Sequence, residues 1–457
     1  MCQESPPRRR SQLARSATLA VLATLLPAVP QPDSPCNRYE ERIWGRVTAN
    51  DGQSHEGFLH FLGSRGGATW ADPLLGRREI SDGSYQLWLE AARGGVPHLG
   101  VVEVGGYRVT WEERYPEFTQ PSRASIRLGH VASLALDGEG SVVVSPWGPD
   151  GEPMGGADSA GRVGPRIEAP FPDDEVRIEN ADSRVTMRWK EIARIDFSPA
   201  PAGDSGRVAP RPLHGTAVDT VGRSYTGWVS WGAVRLESDS LGKIVMRHDS
   251  VSASVLHSIA HSEIARREGV ATVERDGAIA RSVAPGPVRV AAPKLGVVEI
   301  PFGALRSLRL VAGGPSEGSP RAVRCEWHRS WPLAGTVTTS GGEEIEGRIR
   351  WNALKEWSWE LLEGSSGGVD LLVAFAEIEL MERDPKGGLR VSLADGRTLH
   401  LTDGGDVDEG NRGVLVFPTV AGAGGSWQGP SSGWRHVAWS EIGEVRLRHP
   451  RSGELSR

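Results

Sequence analysis

The feature that most constrains this chain is a glycine spacing that occurs three times. Glycine stands at relative positions 0, 7 and 12 in three segments. They are Gly45, Gly52 and Gly57 in WGRVTANDGQSHEGFLHF, Gly215, Gly222 and Gly227 in HGTAVDTVGRSYTGWVSW, and Gly335, Gly342 and Gly347 in AGTVTTSGGEEIEGRIRW. Around them apolar and polar residues alternate, as in Trp228-Val229-Ser230-Trp231 and Arg348-Ile349-Arg350-Trp351. Alternation on both sides of a glycine turn predicts a β-hairpin. The middle glycine is expected to supply a positive φ, and the last to mark a bulge or a close backbone crossing.

A second pattern occurs six times: a bulky residue, then apolar residues three and usually six positions on. Examples are Leu128/Val131/Leu134, Trp189/Ile192/Ile195, Phe302/Leu305/Leu308, Phe375/Ile378/Met381 and Trp439/Ile442/Val445, with a degenerate copy at His248/Val251/Ser254. Each reads as one helical turn running into a strand. They form three pairs, 61, 54 and 64 residues apart, and each pair follows one glycine hairpin. Two independent patterns therefore give the same count of three.

The expected fold is all-β: three tandem modules of small sheets or barrels, over 43–199, 213–312 and 333–449, with one short helix at Val255–Arg267. Residues 200–212 and 313–332 have linker composition. The first module carries an insertion near 77–122, where Trp88, Val101, Tyr107, Val109 and Trp111 suggest extra strands, and a long Pro/Gly loop over about 146–172. Asn50-Asp51-Gly52 running to Gly57 resembles the first motif of Sm-like small barrels, as does Leu389 to Arg397, and Asn411-Arg412-Gly413-Val414 resembles the second. SH3-like barrels share this strand–turn–strand grammar. The resemblance implies a small β-barrel or curled sheet, and the whole is similar to exported bacterial repeat proteins.

Export is expected from residues 1–35. Arg8, Arg9, Arg10 and Arg15 precede the apolar run Ala17 to Val29, which is too short to span a bilayer and fits a signal-peptide core. The mature protein is then periplasmic or extracellular and not membrane-spanning. There, Cys36 and Cys325 could form one bridge. With 52 Lys plus Arg against 58 Asp plus Glu, the chain lacks the basic excess that phosphate contacts need, so no nucleic-acid partner is expected.

Catalytic motifs fail on context. Gly314-Pro315-Ser316-Glu317-Gly318 has the GxSxG form but lies in a connector with no helix after it. His257 and His261 are four apart, yet Ser258 stands where a zincin needs glutamate, leaving Glu263 as an added ligand. Adjacent carboxylates, Glu343-Glu344 and Asp173-Asp174, point to opposite faces of a strand. Asp403, Asp406 and Asp408, with Glu409 and Asn411, cluster oxygen ligands in a glycine-rich loop that could take Ca²⁺, though not with EF-hand spacing, and an exposed acidic turn is the other reading. Trp231 and Trp351 hold equivalent places after their hairpins, while Trp357 and Trp359 alternate onto one strand face. Exposed, these four could stack on sugars or pack on a partner; buried, they close thin cores. The sequence thus points to an exported, non-catalytic binding or envelope-assembly scaffold, with envelope polysaccharide or protein as partner. The alternatives are a hydrolase using Glu103, Glu112, Glu113 and His98 of the insertion, and a purely structural oligomer.

Overall fold

A computed structural model describes residues 42–62, 69–70, 72–78, 99–104, 107–112, 122–136, 141–147, 153, 166–168, 175–201, 211–231, 235–238, 244–247, 264–267, 270–275, 278–282, 287–292, 294–311, 330–418 and 434–450. Its regular structure is β-strand joined by single 3₁₀ turns. The first module holds β1 (Trp44–Ala49), β2 (Ser54–Leu62), β3 (Pro73–Arg78), β4 (Leu99–Val104), β5 (Tyr107–Glu112), β6 (Ser122–Arg127), β7 (Val131–Leu136), β8 (Ser141–Pro146), β9 (Arg166–Glu168), β10 (Glu175–Glu179), β11 (Arg184–Arg188) and β12 (Ile192–Phe197). The second holds β13 (Arg211–Asp219), β14 (Ser224–Trp231), β15 (Arg235–Ser238), β16 (Ile244–Arg247), β17 (Ile264–Arg267), β18 (Val270–Arg275), β19 (Ala278–Ser282), β20 (Val288–Ala292), β21 (Gly296–Ile300) and β22 (Leu305–Val311). The third holds β23 (Ala334–Thr339), β24 (Glu344–Trp351), β25 (Leu361–Ser366), β26 (Val369–Ala374), β27 (Ile378–Arg383), β28 (Leu389–Leu393), β29 (Thr398–Leu401), β30 (Val414–Pro418), β31 (Arg435–Val437) and β32 (Ile442–Leu447).

The three glycine hairpins share one register. Gly45 faces Gly57, Gly215 faces Gly227 and Gly335 faces Gly347. The middle glycines take φ of 87°, 93° and 84°, as the turn requires. The last glycine marks a crossing and not a bulge: a Cβ on Gly57 would lie 2.7 Å from the Glu179 carbonyl oxygen of β10. The bulge lies instead where β1, β13 and β23 pair with β12, β22 and β32, after Thr48, Val218 and Thr338.

That bulge explains the second sequence pattern. A 3₁₀ turn brings residues i and i+3 to the same side. The bulge then inserts one residue, so the next inward side chain follows three positions on instead of two. Trp189, Ile192 and Ile195 are all buried for this reason, as are Phe375, Ile378 and Met381. The carbonyl closing each 3₁₀ turn accepts a backbone N–H from the end of a neighbouring strand or hairpin. The pairs are Asn50 to Glu191 (2.9 Å), Thr220 to Ala304 (2.8 Å), Ser340 to Glu441 (2.7 Å), Ala394 to Glu377 (2.9 Å) and Trp147 to His130 (2.8 Å).

Five of the six turns lie among the described residues, His248/Val251/Ser254 falling outside them, and two turns for one hairpin has a structural meaning in the first and third modules. The first sheet runs β11-β10-β2-β1-β12-β7-β8-β9-β3-β6, two five-stranded units meeting at β12 and β7. In the outer unit β1, β2, β10 and β11 lead to the turn Trp189–Glu191 and then β12, which pairs with β1. The inner unit, inserted between β2 and β10, has the same parts in permuted order: β3, β6, the turn Leu128–His130, β7, β8 and β9. The third module repeats this, with β25 to β29 nested between β24 and β30, and β27 meeting β32. The outer unit of the second module, β13, β14, β20, β21 and β22, has the same pairing. β4 and β5 form a separate hairpin within the first-module insertion.

The second and third modules are continuous. β21 pairs with β26, placing Gly296 opposite Val373 and Glu299 opposite Asp370. The sheet through β20, β21, β26 and β25 is buried on both faces. Val290, Val298, Leu371 and Val373 face a core shared by the second and third modules. Ala291, Val297, Leu372 and Ala374 face a core built mostly of first-module side chains. Strands covered on both sides read as unbroken apolar runs, as in Leu371-Leu372-Val373-Ala374 of β26.

Several expectations are corrected. Ile264–Arg267, the end of the expected helix, is strand β17, antiparallel to β18; its β-branched and arginine residues fit that ladder. Arg211 and Pro212, assigned to a linker, begin β13 and pair with β15. Ser330, assigned to the second linker, is buried and donates to the Trp147 carbonyl. Residues 1–35, where an export signal is expected, lie outside the described residues, as do Cys36, Cys325, Gly314 to Gly318, His257, His261, Glu263, His98, Glu113, Asp173 and Asp174, and the side chains of Glu103 and Glu112.

A polar clamp ties the second hairpin turn to the third module. Arg223 donates from Nε to Asp219 Oδ2 (2.6 Å) and from its two terminal nitrogens to the Ser366 hydroxyl and carbonyl (both 2.6 Å). Asp219 also accepts the backbone N–H groups of Val221 (3.1 Å) and Arg223 (2.8 Å) and the Tyr225 hydroxyl (3.3 Å). Burial alone would raise the Asp219 pKa, but the hydrogen bonds and charge of Arg223 outweigh it and hold the carboxyl below its usual range. Burial and the nearby Asp219 push the Tyr225 phenol up to about 12, so it donates at neutral pH. A depressed carboxyl stabilises the fold above its unfolded pKa, and that contribution is lost as pH falls through the folded value. Stability should therefore drop below about pH 4. Asp219→Asn is expected to flatten this acid limb in denaturant titrations at stepped pH, and an unchanged limb would remove the clamp from the account.

Candidate functional site

The third module concentrates its buried polar groups where two loops meet. At the end of β24, Trp351 pairs with Lys355 across a tight turn, its N–H donating to the Lys355 carbonyl (2.7 Å) and its carbonyl accepting from Lys355 N (2.8 Å). Two non-glycine residues in that turn, Asn352 and Ala353, hold φ of 53° and 52°. Left-handed non-glycine residues cost of order 1–3 kcal/mol each, so the surroundings must enforce them. They do so through the loop between β29 and β30.

Asp406 is the hub of that loop. It is 4% exposed and pairs with Lys355, itself 2% exposed. Asp406 Oδ1 accepts from Asn352 Nδ2 (2.8 Å), and Oδ2 accepts from the Glu363 N–H (2.9 Å). The Asp406 carbonyl accepts from Trp351 Nε1 (3.1 Å) and Asn411 Nδ2 (2.6 Å). Lys355 Nζ also donates to the Leu361 carbonyl (2.6 Å), and Asn352 Oδ1 accepts from Arg412 N (2.9 Å). The loop therefore seats on the turn and holds it in its strained form.

The acidic run does not converge on a cation. Asp403 is exposed, and its Oδ2 accepts from the Thr402 hydroxyl (3.0 Å). Asp408 spends both oxygens on backbone N–H groups, those of Gly404 and Gly410 (both 2.8 Å). Glu409 reaches out to Arg383 (3.5 Å). Among the described residues no three His, Cys, Asp or Glu side chains are placed to share a metal. Of the residues expected to take Ca²⁺, Asp403 faces the Thr402 hydroxyl, Asp406 faces Lys355 and Asn352, and Asp408 caps its own backbone, as carboxylates in glycine-rich loops do.

Two of the four candidate tryptophans are buried. Trp351 is 0% and Trp359 2% exposed, so both are core residues. Trp351 packs edge-on to Trp439 with centroids 6.1 Å apart, closing a thin sheet. Trp357 is half-buried against the core that holds Trp359, and the side chain of Trp231 lies outside the described residues. Trp351→Ala is expected to cost about 3–5 kcal/mol in equilibrium unfolding, as large aromatic truncations in cores do.

A second cluster lies on the outer side of the same turn. Glu360 Oε2 accepts the N–H groups of Glu356 (2.6 Å) and Trp357 (2.9 Å), while Oε1 lies 3.1 Å from Arg78 of the first module. Arg350 pairs with Glu356 and places its guanidinium 5.0 Å from the Trp434 ring, which in turn packs on Phe417 at 5.5 Å. Burial alone would raise the Glu356 carboxyl, but Arg350, Arg78 and Arg348 outweigh it and hold it low. Burial pushes Glu360 up, and neighbouring Glu356 adds to that against Arg78. Carboxylates with pKa values driven apart are what acid–base chemistry uses. Here, however, Glu360 is 2% exposed and its oxygens are committed to two amides and Arg78. Its role on this geometry is to join the first module to the third.

The sequence reading missed Lys355, Asn352, Glu360 and Arg78, because their roles depend on loops far apart in the chain. One local signal was available: Lys355 is one of five lysines among 52 basic residues, in an otherwise aromatic segment. No protein-family model, curated protein or solved structure matches the chain. No helix among the described residues is long and apolar enough to cross a membrane.

Proposed function

We propose that this chain is an exported, non-catalytic scaffold that binds an envelope polysaccharide or protein through surfaces repeated at fixed spacing. The supporting observation is the β21–β26 pairing with its two shared cores, which makes the second and third modules one continuous body. Rigidly spaced similar surfaces gain avidity on a repetitive target without any new contact. The half-buried pair Phe417 and Trp434 beside Arg350 offers a stacking surface of the kind sugars and partner proteins use.

Sedimentation of the full chain with insoluble envelope polysaccharide tests the reading. Retention is expected, reduced several-fold by Trp434→Ala, with the polysaccharide recovered intact. Absence of retention on polysaccharide and on envelope proteins would overturn it. Release of soluble sugar ends would overturn it in favour of the hydrolase reading.

A further inference from the structure

We propose that Lys355 and Asp406 condense to an intramolecular amide, a covalent cross-link between the Trp351–Lys355 turn and the β29–β30 loop. The inference goes beyond the scaffold reading and does not depend on it. Its basis is a juxtaposition: a buried primary amine paired with a buried carboxyl, each carbonyl-side atom held by a donor. Lys355 and Asp406 are 2% and 4% exposed. Lys355 Nζ is fixed by the Leu361 carbonyl (2.6 Å) as well as by Asp406. Asn352 Nδ2 holds Asp406 Oδ1 (2.8 Å), where negative charge would collect in a tetrahedral intermediate, and the Glu363 N–H holds Oδ2 (2.9 Å). Preorganised donors aimed at a developing oxyanion are the largest common source of rate in acyl chemistry. Fixed proximity supplies effective molarities of about 10⁵–10⁸ M.

The choice of lysine supports the assignment. Elsewhere the chain buries arginine, at Arg42 (2% exposed) and Arg127 (1%). Arginine suits buried ion pairs, through its fork of donors and weaker hydration. A position that must supply a nucleophilic amine needs lysine, and Lys355 is the buried one among the described residues. Ionised pairs are also costly to keep out of water, a cost a neutral amide removes.

The step balances without any co-reactant. One proton passes from Lys355 Nζ to Asp406 Oδ2, giving amine and acid. The nitrogen lone pair attacks Cγ, forming the C–N bond while Asn352 Nδ2 supports Oδ1. A second Nζ proton moves to Oδ2, the Cγ–Oδ2 bond breaks, and Oδ2 leaves as water. Nothing is oxidised or reduced.

Mass spectrometry of the full chain, denatured and digested with trypsin, tests this. The expected product is a branched peptide joining Trp351 to Arg383, uncleaved at Lys355, with Thr398 to Arg412, lighter than the two parts by one water. Lys355→Arg keeps the charge pair but cannot make this bond, and should yield the Thr398 to Arg412 peptide unlinked. Recovery of that peptide unlinked at full yield from the natural chain, folded by its circular dichroism, would overturn the proposal. So would a branch at any other lysine.

Discussion

Asp406→Ala is expected to cost about 3–5 kcal/mol, because it strands the Lys355 amine in a buried site whether the natural chain holds the two groups as an ion pair or as the amide. The loss should exceed that of any surface charge in the same loop, because Asp406 satisfies Lys355, Asn352 and the Glu363 N–H at once. The exposed Glu409, 3.5 Å from Arg383, is the natural control, worth about 0–1 kcal/mol. Denaturant midpoints read by tryptophan fluorescence would measure both, since Trp351 donates to the Asp406 carbonyl. A paired Lys355→Met, Asp406→Leu variant should recover part of the loss, because removing both charges removes the stranded one. Equal costs at Asp406 and Glu409 would show that the cluster does not hold the turn.

The second large effect is expected at the joint between modules. Gly296 has φ of 143°, and a Cβ there would overlap the Leu372 carbonyl oxygen of β26. Gly296→Ala therefore combines backbone strain of order 1–3 kcal/mol with a collision against backbone that can move only by parting β21 from β26. Gly342→Ala makes the comparison fair: φ is 84°, but nothing lies within 4 Å of its Cβ. It should cost only the strain. Both are measurable as shifts in thermal midpoint, and protease sensitivity between the second and third modules should rise for Gly296→Ala alone. Similar behaviour of the two variants would mean that the joint contributes little.

These effects follow a division visible throughout the molecule. The hairpins and 3₁₀ turns were legible because their causes are local. A turn that needs positive φ selects glycine at Gly52, Gly222 and Gly342, and a 3₁₀ turn followed by a bulge imposes the three-residue spacing of Trp439, Ile442 and Val445. In the first and third modules the paired turns even recorded the two half-modules of each, although the sequence reading counted only three building blocks. It missed the nesting because the inner units are permuted, their glycine turn coming after the 3₁₀ turn, as Gly396 follows Phe375.

By its own sequence the chain determined an all-β architecture, its repeat and the inward side chains around each 3₁₀ turn, since these depend on backbone conformation and side-chain alternation over a few residues. Only the tertiary structure decided that β21 joins β26, that Trp351 and Trp359 face inward, and that Asp406 answers Lys355 instead of a cation. Those outcomes depend on which distant surfaces exclude water from one another. A carboxylate or an indole carries the same local signature on a surface as in a core, and its neighbours fix its role.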